Sequence, residues 1–153
     1  MLMINRAKIA TMTPECGGRG AVSGSCHGKA MTLINLYTRI YSHVRWPAPL
    51  PRPEEVRFCW NHLFETTSGV CYQKGKIIEV NITYRDPRLS RELEYLVIHE
   101  AAHFIWRDHS PAFRAFLRSV GVPQDYILHR GEASPVYRLV QAEQAQRQLR
   151  LFG

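Results

Sequence analysis

Apolar positions recur at helical spacing through Leu33, Leu36, Tyr37, Ile40, Tyr41 and Val44, and predict a first core helix over 29–44. Pro47, Pro49, Pro51 and Pro53 then forbid regular structure and mark a connecting loop. The texture changes from Val56. Short runs at 56–60, 69–72 and 76–82 read as three strands, with Lys74-Gly75 as the hairpin turn between the last two. Helices over about 88–107 and 111–120 follow, the first carrying Leu93, Leu96, Val97 and Ile98, the second Phe113, Phe116, Leu117 and Val120. The expected fold class is α+β, with a small antiparallel sheet packed on helices. Three regions are expected: a glycine-rich arm over 1–28, a folded domain over 29–140, and a polar tether over 141–153.

The fourth predicted element carries the chemistry, in His99-Glu100-Ala101-Ala102-His103. Residues four apart lie one turn above each other, so His99 and His103 can aim ring nitrogens at one ion. Glu100 sits a step round the helix, where it reaches a water on that ion and suits a general base rather than a ligand. Glu92 and Glu94 near the helix start favour its dipole. The third imidazole is His109. On an unbroken helix it would point about 240° away from His103, so the chain must turn first. Ser110 as N-cap and Pro111 at the first helical position supply that break and leave His109 in the joint. Three protein ligands leave a position open for water, the mark of a catalytic rather than a structural zinc site, with one Zn²⁺ per chain.

Composition narrows the setting. The chain has 153 residues, 45% of them hydrophobic, which suits one globular domain with short tails. No apolar run is long enough to span a membrane, and the N-terminus lacks a clear signal-peptide core, so a cytoplasmic protein is expected. Of the four cysteines, Cys59 and Cys71 fall in predicted strands and read as buried small hydrophobes. Cys16, Cys26 and His27 lie in a glycine-rich stretch that resembles half of a DnaJ-type zinc module with one cysteine missing from each pair. A flexible arm and a degenerate metal module both remain open there. The formal charge of +7 is uneven: residues 1–55 and 111–153 carry the basic excess, while 56–110 hold seven basic and seven acidic residues. Basic flanks around a neutral centre suit a polyanion such as DNA, and equally suit solubility alone.

Residues 56 to about 120 resemble the SprT-like family of zinc metallopeptidases, which includes the DNA–protein crosslink protease Spartan and is related to the YgjP-type peptidases. The resemblance rests on Trp60, Thr66-Thr67-Ser68-Gly69-Val70-Cys71-Tyr72, Ile77-Ile78-Glu79-Val80-Asn81, Leu96 to His103, and His109-Ser110-Pro111-Ala112-Phe113. It implies a single zinc on His99, His103 and His109, Glu100 as the catalytic base, and a protein substrate laid along the sheet edge beside the helix. An oxyanion donor is also implied. Tyr126, His129 and Tyr137 are candidates, a structural role being the plainer reading of each. The chain departs from bacterial relatives in having no cysteine after 71 to build a zinc ribbon, and from metzincins in having Trp106 where they place glycine.

The chain ends in Gln148-Leu149-Arg150-Leu151-Phe152-Gly153, which resembles the pentapeptide used by bacterial polymerases and repair proteins to bind the sliding clamp. Gln148, Leu149, Leu151 and Phe152 would be the partner-binding residues, glutamine at the pocket rim and the apolar side chains in subsites. Packing against the end of the last helix is the alternative for them. The combined expectation is a nucleoid-associated protease of bacterial or phage type, acting on DNA-associated proteins and recruited by the clamp. The competing readings are a cytosolic peptidase for a specific regulator and a non-catalytic DNA- or clamp-binding module.

Overall fold

The computed structural model describes residues 32–127, 141–142 and 145–150. Helix α1 spans Leu33–His43, opened by Thr32, whose hydroxyl accepts the Asn35 N–H. It buries Leu33, Leu36, Tyr37 and Ile40, the stripe that the spacing predicts. The Tyr37 hydroxyl donates to the Pro51 carbonyl at 2.8 Å and ties the proline loop onto the helix.

Three strands follow: β1 over Arg57–Asn61, β2 over Gly69–Tyr72 and β3 over Ile77–Asn81, in spatial order β1-β3-β2. The sheet is mixed, which corrects the antiparallel expectation. β2 pairs antiparallel to β3, while β1 runs parallel to it with Arg57 opposite Ile77 and Asn61 opposite Asn81. The reason lies in the segment 62–68, which does not turn back beside β1. It passes over the C-terminal end of β3 and starts β2 on the far side, so β2 forms part of the long crossover that a parallel pair requires. Asn81 holds the crossing. Its Nδ2 donates to the Phe64 and Thr67 carbonyls at 2.8 and 3.0 Å, its Oδ1 accepts from the Thr83 N–H at 2.9 Å, and its own N–H donates to the Ser68 carbonyl at 2.8 Å.

The β2–β3 turn lies where Lys74-Gly75 predicts it, but the residue with positive φ is Lys76, at 50°. Its ammonium donates to Glu55 Oε1 at 2.7 Å. The core lies between the sheet and the helices, where Ile78, Val80, Tyr37, Leu96 and Val97 are wholly or almost wholly buried.

Helix α2 covers Ser90–Ala102, shorter than the expected 88–107. Pro87–Leu89 form a separate 3-10 turn opened by Asp86, whose carboxylate accepts the Arg88 N–H. At the other end the N–H groups of His103, Phe104 and Ile105 bond to carbonyls three residues back, and that tightening closes the helix at His103. Helix α3, Pro111–Ser119, opens where expected, with the Ser110 hydroxyl accepting the Phe113 N–H at 3.3 Å. Gly121, with φ 82°, ends that stretch. Among the described residues no helix is long and apolar enough to cross a membrane.

Candidate metal centre and cleft

Because α2 closes at His103 and α3 opens after Ser110, the joint between them brings His109 back over the helix. The rings of His99, His103 and His109 form a nearly equilateral triangle, with centroids 5.1, 5.0 and 5.0 Å apart. One ligand nitrogen from each lies within 4.8 Å of the others. His109 Nε2 is 3.0 Å from His99 Nε2, close to the ~3.3 Å expected for two nitrogens sharing a tetrahedral zinc.

The backbone fixes the orientation of two rings. His99 Nδ1 lies 2.6 Å from the Tyr126 carbonyl oxygen, and His103 Nδ1 lies 3.0 Å from that of Trp106. A carbonyl only accepts, so each Nδ1 carries the proton and each Nε2 turns a lone pair toward the shared point. Burial also lowers the His103 pKa, favouring the neutral ring that binds metal. Phe113, fully buried on α3, packs against all three imidazoles at centroid distances of 5.0, 4.7 and 5.0 Å. Three convergent imidazole nitrogens, two of them oriented by carbonyls, are a borderline-soft donor set that fits zinc.

Glu100 is buried beside this triangle, and burial pushes its pKa up to about 8. The Cys71 N–H donates to its carboxylate and opposes part of that rise. A cation on the three histidines would favour the ionised form further. Glu100 fits against β2 because residue 69 is glycine: a Cβ there would lie 3.0 Å from Glu100 Oε1 and 3.1 Å from both Glu100 Cγ and the Glu79 carbonyl oxygen.

The site opens into a cleft of about 290 Å³, with Thr66 to Cys71 on one wall and His99, Glu100, His103 and His109 on the other. β2 is an edge strand. The Ser68 carbonyl faces β3, so alternation turns the backbone groups of Gly69 and Cys71 toward the open side. The Cys71 N–H bond to Glu100 agrees with that direction.

His99, Glu100, His103 and His109 are thus brought together at one cleft. Tyr126 takes the structural part that is the plainer reading of it. It is buried and outside the cleft lining, and it contributes its carbonyl to His99 rather than an oxyanion donor. Cys59 is buried, while Cys71 is only partly covered, its thiol pushed up to about 12 by burial and the neighbouring Glu100. Residues 145–150 are helical and exposed, Leu149 at 74%, and Gln148 lies in the same stretch. Leu151, Phe152, Cys16, Cys26, His27, His129 and Tyr137 lie outside the described residues.

Several contributors escaped sequence reasoning: Gly69, Phe113 as the support of the rings, and the carbonyls of Trp106 and Tyr126. Gln73, whose Nε2 donates to the His103 carbonyl and ties the hairpin to the end of α2, is another. Only Gly69 left a signal, since a glycine inside a strand pattern marks close backbone approach.

The class defined so far is an α+β chain with a three-histidine centre able to hold a metal ion. The sequence model of the SprT-like family matches residues 30–132, and the chain belongs to that family. Membership suggests a metallopeptidase-like function and associates the centre with zinc. No curated protein and no solved structure matches the chain significantly.

Proposed function

We propose that the protein is a zinc-dependent peptidase that takes an extended protein segment along β2 and cleaves it beside Glu100. The observation that carries this reading is the convergence of three imidazoles, two of them oriented by backbone carbonyls, next to a buried carboxylate at the mouth of a cleft beside the β2 edge. Zinc held by His99, His103 and His109 would supply a Lewis acid to polarise the scissile carbonyl and acidify water. The chain's own residues do the rest. The outward N–H of Gly69 and the outward carbonyls of Gly69 and Cys71 align the substrate as an added strand, the Cys71 N–H being held by Glu100. Glu100 takes the proton from the attacking water on its carboxylate and delivers it to the leaving amine. Burial under β2 excludes bulk water from that carboxylate.

The proposal extends to place of action: proteins on DNA, reached through the basic flanks and through Gln148, Leu149, Leu151 and Phe152 at a sliding clamp. The charge distribution and the exposed Leu149 support it. Glu100→Gln tests the chemistry. It should bind zinc as the parent does and cleave a DNA-linked protein about 10²- to 10⁴-fold more slowly; full cleavage by that variant refutes the assigned role. Recruitment is tested by Leu151→Ala with Phe152→Ala, which should abolish clamp pull-down.

A further inference from the structure

Two recesses meet at Arg107. The cleft at the histidines and a second recess of about 590 Å³ along the β2–β3 hairpin share Cys71 and Arg107 as lining residues. Among the described residues Arg107 is the only lysine or arginine lining the first, and the second adds Lys74 with no acidic residue. Arg107 is exposed and makes no ion pair among the described residues. Its neighbour Asp108 accepts the Ser110 N–H at 3.1 Å and forms no ion pair with it among the described residues. Arg107 is nonetheless well placed, because the Trp106 N–H is bonded to the Ala102 carbonyl and the Trp106 carbonyl to His103. A guanidinium with no ion pair among the described residues thus stands where the two recesses meet, beside the β2 edge.

We infer that Arg107, assisted by Lys74, is a specificity-determining residue that selects peptide substrates with an acidic side chain on the N-terminal side of the scissile bond. The inference rests on the peptidase reading and adds a substrate class to it. Direction follows from the strand. β2 runs from Gly69, against Glu100, to Tyr72 at the hairpin, so an antiparallel partner places its upstream residues along the hairpin recess. There the guanidinium meets a carboxylate in fork geometry. A nucleic-acid phosphate would be drawn by the same charges, but the outward groups of β2 are spaced for a peptide backbone.

The test uses the zinc-loaded full chain and three fluorescein-labelled extended peptides that differ only in Glu, Gln or Lys at one upstream position. Binding is read by anisotropy on Glu100→Gln protein, and cleavage as kcat/KM on protein with Glu100 intact. The Glu peptide should be preferred over the Lys peptide by about fivefold, the range of a solvent-accessible ion pair. Arg107→Glu should invert that ratio, Arg107→Lys should keep part of it, and Lys74→Glu should shift it less in the same direction as Arg107→Glu. A ratio within each protein cancels differences in folded or zinc-loaded fraction. Preference in binding without cleavage supports the inference while the peptidase reading fails. Cleavage with a ratio unchanged by Arg107→Glu overturns the inference alone. A single-stranded oligonucleotide that loses affinity in Arg107→Glu while the peptide ratio persists also overturns it, assigning Arg107 to nucleic acid.

Discussion

The two walls of the cleft are built in different ways. The α2 wall is part of the core: His99, Glu100, Ala101 and Ala102 are at most 3% exposed, and Phe113 of α3 backs the rings. The β2 wall is an edge, with Gly69, Val70 and Cys71 half-buried and, among the described residues, paired as a strand with β3 alone. Close packing fixes the groups whose positions must not vary, because a buried side chain has few alternative rotamers. The edge leaves backbone groups unpaired for a ligand to use. Core packing therefore holds the chemistry while an open strand edge does the recognition, and the two meet where Glu100 fits under Gly69.

The comparison can be broken from either side. Phe113→Ala strikes the core wall and should cost about 3–5 kcal/mol of stability in denaturant unfolding, with weaker zinc binding, because it opens a cavity beneath all three rings. Unchanged zinc affinity would mean that the rings do not depend on that support. Gly69→Ala strikes the junction. The added methyl must displace Glu100 or β2, and kcat should fall by roughly tenfold to hundredfold, about 1.4–2.7 kcal/mol of barrier, with zinc content unchanged. Asn81→Ala strikes the support of the edge wall. It leaves the Phe64 and Thr67 carbonyls without their donor and should cost about 1–3 kcal/mol, with KM rising more than kcat falls. The smallest effect lies at the hairpin base, remote from both walls. The Lys76 ammonium holds half-buried Glu55 down at about 2. A depressed carboxylate stabilises fully above its ordinary range and loses that contribution as pH falls from about 4.5 through about 2. Thermal unfolding of Glu55→Gln should accordingly differ slightly from that of the parent at neutral pH and converge with it in acid.

The same division governs what could be read from the residues. The α2 wall is written in side chains at helical spacing, so His99, Glu100 and His103 stand out, and Ser110-Pro111 explains how His109 returns. The β2 wall is written in backbone. Every residue has a carbonyl, so nothing distinguishes Trp106 or Tyr126 as the acceptor for a histidine. Strand spans were legible from apolar runs, but parallel pairing of β1 depends on where segment 62–68 crosses, which Asn81 decides through bonds to distant carbonyls. The early end of α2 likewise comes from tightened bonds at His103 rather than from a breaker residue.

Zinc titration of the full chain beside His109→Ala tests the central claim most directly, with stoichiometry and affinity both measured. The account predicts one zinc lost on dialysis from His109→Ala at a chelator concentration that the parent withstands, an affinity at least about 100-fold weaker. Equal zinc retention by the two proteins would contradict it.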